Sequence, residues 1–306
     1  MTWDARQLGE LTGRTVLVTG ATSGIGLSAA RDLVGRGAHV LLAVRDVDKG
    51  ERVRAQLHGR GTATVVRLDV ADLEQVATAA RTVLDSTGTL SALVCNAGLM
   101  AGPHRLSPQG YELQMATNHL GHAALVGALW PLLHTSATRV VVVSSLAARS
   151  GRLSPTTTVD ELVAPSPYVA QRVYGTTKQA NLLFALELAR RSSRAGSPVS
   201  AVAVHPGVSD TDLFVRHLPG GRRSPLVPAV KAVSKLVLQS ADAGALPTLR
   251  GLDHSTPSGA FVGPGGLGQL RGRPELLQLP STAKDPATAE RLWALTEQVL
   301  DTSMPV

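Results

Sequence analysis

The chain has 306 residues, 43% of them hydrophobic and 17% charged, which supplies enough apolar material for a large buried core. Aromatic residues make up only 3%, so that core must be built from Ala, Val and Leu. The net charge of +7 comes mostly from arginines scattered along the chain with no aromatic-rich basic module, so a nucleic-acid partner is not expected.

The first residues, MTWDARQLGELTG, contain no apolar run of the kind a secretory signal needs. RTVLVTG (14–20) is a β-branched run that ends in glycine, and GIGLSAARDLVGRG (24–37) has helical spacing and stops at glycine. AHVLLAVRD (38–46) predicts a second buried strand, residues 48–59 a helix, and TATVVRLDV (62–70) a third strand. Asp72 then caps a helix to about Ser86. LSALVCNAG (90–98) and TRVVVVSS (138–145) are further strands, separated by a helix near 110–134. The helix carrying Tyr174 follows, then the strand PVSAVAVHPG (198–207) and a short last strand near GAFVGP. Near-continuous apolar strands alternating with helices predict an α/β fold: a doubly wound, mostly parallel, Rossmann-type sheet with helices on both faces. No repeat or long linker divides the chain, so residues 1–306 are expected to form one domain. Residues 208–238, rich in Pro, Gly and Arg and then apolar-periodic, break the rhythm and are expected to be a substrate lid. A basic amphipathic segment of this kind can touch a membrane surface, but the pattern is loose and membrane contact is not expected. The single Cys95 cannot form an internal disulfide and fits a reducing, cytoplasmic setting.

Chemistry concentrates in three places. TGATSGIG (19–26) follows the first strand and opens the first helix, the context in which a glycine motif marks a phosphate site. Gly20 allows the tight turn, Gly24 a close approach to a pyrophosphate, and Gly26 close helix–strand contact; the helix end faces the phosphate. The second strand ends at Arg45, where an NAD site often has a carboxylate; an arginine suits the 2′-phosphate of NADP. Asp46 is read as a turn acid pointing to solvent. In VYGTTKQAN (173–181), Tyr174 and Lys178 lie one helical turn apart on a single face. An ammonium there would draw the phenol down from about 10 toward neutrality, as a proton-transfer group requires.

T-G-x-x-x-G-x-G (19–26), L-D-V (68–70), N-A-G (96–98), the asparagine of TNHLGH (117–122), VVVVSS, Y-x-x-x-K and H-P-G (205–207) occur in one order. With them the chain resembles the short-chain dehydrogenase/reductase family, from about residue 12 to the C-terminus. TNHLGH, the arginine after the second strand and HPGVSDTDL look most like the retinol-dehydrogenase-like branch, which mostly uses NADP(H) on lipophilic alcohols and carbonyls. The resemblance implies a catalytic tetrad of Asn118, Ser145, Tyr174 and Lys178. It also implies cofactor contacts from Gly20, Ser23, Gly24, Ile25, Gly26, Arg45, Asp69, Val70, Asn96, Ala97, Gly98, Tyr174, Lys178, Pro206, Gly207 and Thr211. Within that set Asp69 would hold the adenine amino group, Asn96 would sit beside the adenosine ribose and Thr211 would meet the nicotinamide carboxamide. Asn118 would hold a water linking Lys178 to solvent. Compact members space the serine and tyrosine more closely; here Tyr174 follows Ser145 by 29 residues, and the added segment is expected to be a loop over the site mouth.

The expected reaction is hydride transfer between NADP(H), in preference to NAD(H), and a small lipophilic carbonyl or alcohol, with Tyr174 as general acid or base. Ser145 would orient the substrate oxygen. The alternatives are an NAD-linked alcohol dehydrogenase of the same fold and a non-catalytic dinucleotide sensor. Ser144 competes with Ser145, but adjacent strand residues point to opposite faces. Tyr168, with Arg172 four residues on, is a decoy aromatic at the pocket mouth. His119 and His122 have no evident third ligand, so no metal is expected, and His205 is read as structural. Small apolar faces near 110–134 and 172–192 could pair chains into a homodimer or homotetramer.

Overall fold

The computed structural model describes residues 3–100, 102–208, 239–304 and 306. Thr211 and, apart from Val208, the expected lid over 208–238 lie outside the described residues. Eight strands form one sheet: β1 (Thr15–Thr19), β2 (His39–Val44), β3 (Thr62–Arg67), β4 (Ala92–Cys95), β5 (Arg139–Val143), β6 (Ser200–Val204), β7 (Phe261–Pro264) and β8 (Pro274–Leu276). Their spatial order is β3-β2-β1-β4-β5-β6-β7-β8. Neighbours from β3 through β7 pair in parallel, and β8 runs antiparallel to β7. The α/β, doubly wound expectation holds. The strand β8 was not anticipated: Pro274-Glu275-Leu276 is too short to carry an alternating pattern, and only pairing with β7 makes it a strand.

Side-chain alternation along each strand divides the core between two faces. Leu17, Leu41 and Ala43 join one cluster with helices α3 (Leu73–Ser86), α5 (Gly121–Thr135), α7 (Ala170–Arg194) and α9 (Pro286–Leu300). Val16, Val18, Val40 and Leu42 join the other, against α1 (Gly24–Gly35) and α8 (Ala241–Leu252). The helices start where acids and hydroxyls cap them. Asp46 accepts from the Lys49 N–H to open α2 (Val47–Gln56), Asp72 from that of Glu74 to open α3, and Asp285 from that of Ala287, ahead of Pro286 in α9.

The helix expected near 110–134 runs unbroken over 113–135 but changes its winding on the way. A single turn, α4 (Leu113–Met115), leads into a π-helical stretch, Ala116–Leu120, before α5 begins. The segment between Ser145 and Tyr174 is also more structured than a loop. It contains a 3-10 turn, Leu146–Ser150, and the short helix α6 (Val159–Val163), which a reciprocal Thr158–Glu161 capping box starts and which buries Leu162 and Val163.

Candidate active site

The chain runs outward from β1 to β2 and β3, then returns to lay β4 on the other side of β1. That reversal opens a crevice at the carboxyl ends of β1 and β4, the general location of ligand sites in such sheets. Gly20 (φ +68°) and Gly24 (φ +55°) both hold left-handed backbone conformations there. A Cβ at Gly26 would lie 2.5 Å from the Gly20 carbonyl oxygen and 2.4 Å from the Asn96 amide nitrogen, so glycine keeps this turn tight. Ser23 opens α1 without a capping bond, and no acidic side chain stands in the first turn. The N–H groups around Gly24, Ile25 and Gly26 therefore keep their affinity for an anion. Open amides, a positive helix end and a wall without side chains fit a dinucleotide pyrophosphate.

Arg45 leaves the end of β2 with its side chain 76% exposed, and its nearest acid is Asp69, 3.8 Å away. Asp46 is exposed, as expected, but its carboxylate is committed to capping α2 through the Lys49 N–H at 2.9 Å. Asp69 also receives the Ala71 N–H at 3.0 Å, and Val70 is buried beside it. Asn96 donates from its side chain to the Thr19 carbonyl, and the Asn96 and Ala97 N–H groups both donate to the Thr19 hydroxyl, each at 2.9 Å. Thr19 thus ties the end of β1 to the N-A-G turn after β4. It was not among the expected site residues, because a threonine closing an apolar strand carries no signal until the two strands adjoin.

At the other end of the crevice the two serines after β5 part company. Ser144 donates to the Lys178 carbonyl at 2.6 Å and is buried, whereas Ser145 hydrogen-bonds with the Tyr174 phenol. Lys178 is buried, stands 5.9 Å from the Tyr174 ring centre and donates to the Val143 carbonyl at 3.1 Å. Gly98 leaves room for it: a Cβ there would lie 3.3 Å from Nζ. The expected downward shift of the phenol is absent. Burial raises Tyr174, a rise that the Ser145 hydrogen bond opposes, and burial draws Lys178 down to about 8. Desolvation penalises the charged form of each partner and here outweighs their attraction.

Asn118 lies in the π-helical stretch, a feature frequent at functional sites. Its side chain accepts from the Leu99 N–H (2.8 Å) and donates to the Leu99 carbonyl (3.0 Å) and the Thr177 hydroxyl (2.9 Å). Thr177 donates in turn to the Tyr174 carbonyl at 2.8 Å. The amide therefore braces the Tyr174–Lys178 turn against the loop after β4, and one acceptor lone pair is all it retains for a water. His119 meets the Thr296 hydroxyl at 2.9 Å; His122 meets the Thr19 hydroxyl at 2.9 Å and the Asn118 carbonyl at 3.1 Å. Burial lowers these histidines to about 3 and about 4, so both are neutral. Among the described residues no group of three or more metal-ligating side chains converges. Tyr168 receives the Gln114 amide at 3.1 Å and packs against the His104 ring. After β6, the Pro206 carbonyl accepts from the Gln239 amide, and Gly207 (φ +69°) donates its N–H to His205 Nδ1 at 3.1 Å.

A doubly wound sheet with a glycine turn at its switch point is the architecture of dinucleotide-binding folds. A sequence profile of the short chain dehydrogenase family matches residues 14–156. Dehydrogenase/reductase SDR family member 13 of Bos taurus is 36% identical over 302 residues, covering 96% of this chain and 75% of that protein. Retinol dehydrogenase 11 of Homo sapiens is 40% identical over 212 residues, covering 68% of this chain and 64% of the relative. A solved structure of an uncharacterised protein from Mycobacterium paratuberculosis superposes with a TM-score of 0.81 at 38% identity, each chain covered fully. The chain belongs to the short-chain dehydrogenase/reductase family, in its retinol-dehydrogenase-like branch. Oxidoreduction with a nicotinamide dinucleotide is the chemistry of that family.

Proposed function

We propose that the chain is an NADP(H)-dependent oxidoreductase that interconverts lipophilic carbonyls and alcohols, with Tyr174 as the acid or base. The observation that carries this reading is the meeting of the Ser145 and Tyr174 hydroxyls one helical turn from the buried Lys178. Gly20, Ser23, Gly24, Ile25 and Gly26 would hold the pyrophosphate; Asp69, Val70, Asn96, Ala97 and Gly98 would line the adenosine side. Lys178, Pro206, Gly207 and Thr211 would border the nicotinamide half. Arg45 supports NADP, because its exposed guanidinium matches a 2′-phosphate while the neighbouring Asp46 is spent on a helix cap. Retinol, in the name of one relative, is a lipophilic alcohol, which supports that substrate class. We read residues 1–306 as one domain with its lid at 208–238, and the unpaired, buried Cys95 fits a cytoplasmic setting. Among the described residues no helix is long and apolar enough to cross a membrane.

A nicotinamide dinucleotide held by these residues would supply or accept the hydride. In reduction Tyr174 donates its phenolic proton to the substrate oxygen, and Ser145 steadies the charge that grows there. Lys178, still largely protonated at neutral pH, stabilises the phenolate left behind. In oxidation the proton moves the other way.

Tyr174→Phe removes the proton and little else. NADPH affinity should stay within about threefold while turnover falls by roughly 10²–10⁴. Retained turnover would remove Tyr174 from the acid role. Arg45→Asp should lower the preference for NADPH over NADH by roughly 10–100-fold, the worth of a charged hydrogen bond. An unchanged preference would overturn the phosphate assignment.

A further inference from the structure

Past Ser145, the 3-10 turn carries Arg149 to a second concavity that the proton transfer does not use. This cavity, about 350 Å³, is lined by Arg149, Phe261, Gln269, Leu279 and Ser281, among others. Arg149 donates to the Gln269 side-chain oxygen at 2.7 Å. Among the described residues no carboxylate stands within 4.0 Å of its guanidinium, so its charge is met only by a neutral amide. Gln269 itself holds φ +60°, a left-handed conformation rare for a side-chain-bearing residue and one that clusters at functional sites.

His205 lies beneath this wall, fully buried, with its ring 5.3 Å from that of Phe261. Its Nδ1 accepts the Gly207 N–H, which leaves the proton of the neutral ring on Nε2. Gln269 and Arg149 act on the ring from the cavity wall, Gln269 through a side-chain hydrogen bond, and burial keeps the ring neutral with a pKa near 4. Gly263 of β7 preserves the ring's space, since a Cβ there would lie 2.2 Å from Nε2. The cavity thus presents one unneutralised cation, the hydroxyl of Ser281 and side-chain amides. One positive charge among neutral donors suits a single negative charge.

We propose that this cavity binds the carboxylate of an amphipathic substrate whose carbonyl or alcohol carbon sits at Ser145 and Tyr174. The substrate class is then an oxo acid or hydroxy acid with an apolar middle, flanked by Phe261 and Leu279. A 3-10 rise of about 2.0 Å per residue separates the backbones of Ser145 and Arg149 by about 8 Å. This reading rests on the proposed reaction and adds the charge and length of its substrate.

The test compares ω-oxo acids of roughly six to ten carbons, a length that spans the gap, with their methyl esters as substrates with NADPH. The native chain should show a KM at least about tenfold lower for the acid than for its ester, the worth of one charged hydrogen bond. Arg149→Gln should erase that advantage, leaving kcat within about threefold and the ester unaffected. Equal KM values for acid and ester in the native chain, or equal losses on both in the variant, would overturn the proposal. Tyr174→Phe on the ester tests the reaction separately. Should neither compound turn over, calorimetry with the acid decides: binding to the native chain that Arg149→Gln abolishes supports the subsite, and binding absent or unchanged refutes it.

Discussion

At the scale of single residues, Lys178 shows a conflict between stability and use. Its ammonium is buried and its pKa falls from 10.5 to about 8, so the folded chain binds fewer protons than the unfolded chain between those values. Stability due to this group is therefore lowest below about 8 and rises as pH climbs toward 10.5. Its carbonyl partner is not dependent on it, because Asn181 also donates to the Val143 oxygen at 3.0 Å. Lys178→Met should then stabilise the cofactor-free chain at neutral pH by up to about 3 kcal/mol and abolish turnover. Urea unfolding of both chains across pH should show the gap closing above 10.5; a less stable variant at neutral pH would refute the assignment. The spacing of Tyr174 and Lys178 was legible in the sequence. The direction of the phenol's shift was not, since it depends on how much water the packed helices exclude.

Elements meet where side chains are missing. Gly121 opens α5 directly over the end of β3, and a Cβ there would lie 1.8 Å from the Val70 carbonyl oxygen. The contact is with backbone, so nothing can swing aside. Gly121→Ala should cost at least about 2 kcal/mol, seen as a lower thermal midpoint, and should loosen the Asp69–Val70 corner. A native midpoint would mean that α5 can slide outward freely. The sequence shows Gly121 within TNHLGH but not this contact. The π-helical stretch beside it was hidden for a related reason: an extra residue in one turn leaves local propensity unchanged and is set by what Asn118 and His122 must reach. Likewise α6 was read as loop because five residues are too few to show a helical period.

Over the whole molecule, the faces expected to pair two chains are covered in part from within. The α9 helix lies on α7, where Trp293 stacks on Phe184 at 5.5 Å and Arg191 sits 4.7 Å over the Trp293 ring. Glu187, only 1% exposed, holds Arg190 and Arg191 at 2.6 Å each on that same helix. Farther along, Met304 is buried within 3.8 Å of the place a Gly127 side chain would occupy on α5. Two of the chain's nine aromatic residues, Phe184 and Trp293, are thus spent where α9 seals the core.

The sequence by itself determined the alternation of strand and helix, the glycine turn at Gly20–Gly26, and the pairing of Tyr174 with Lys178, because each is written in spacing of a few residues. The tertiary structure alone decided that Ser145 and not Ser144 meets the phenol, that Asp46 is used up by a cap, and that Arg149 and Gln269 line one cavity. Those residues are separated by up to 120 positions, and only the folding of β5, β6 and β7 side by side brings their donors and charges within reach of one another.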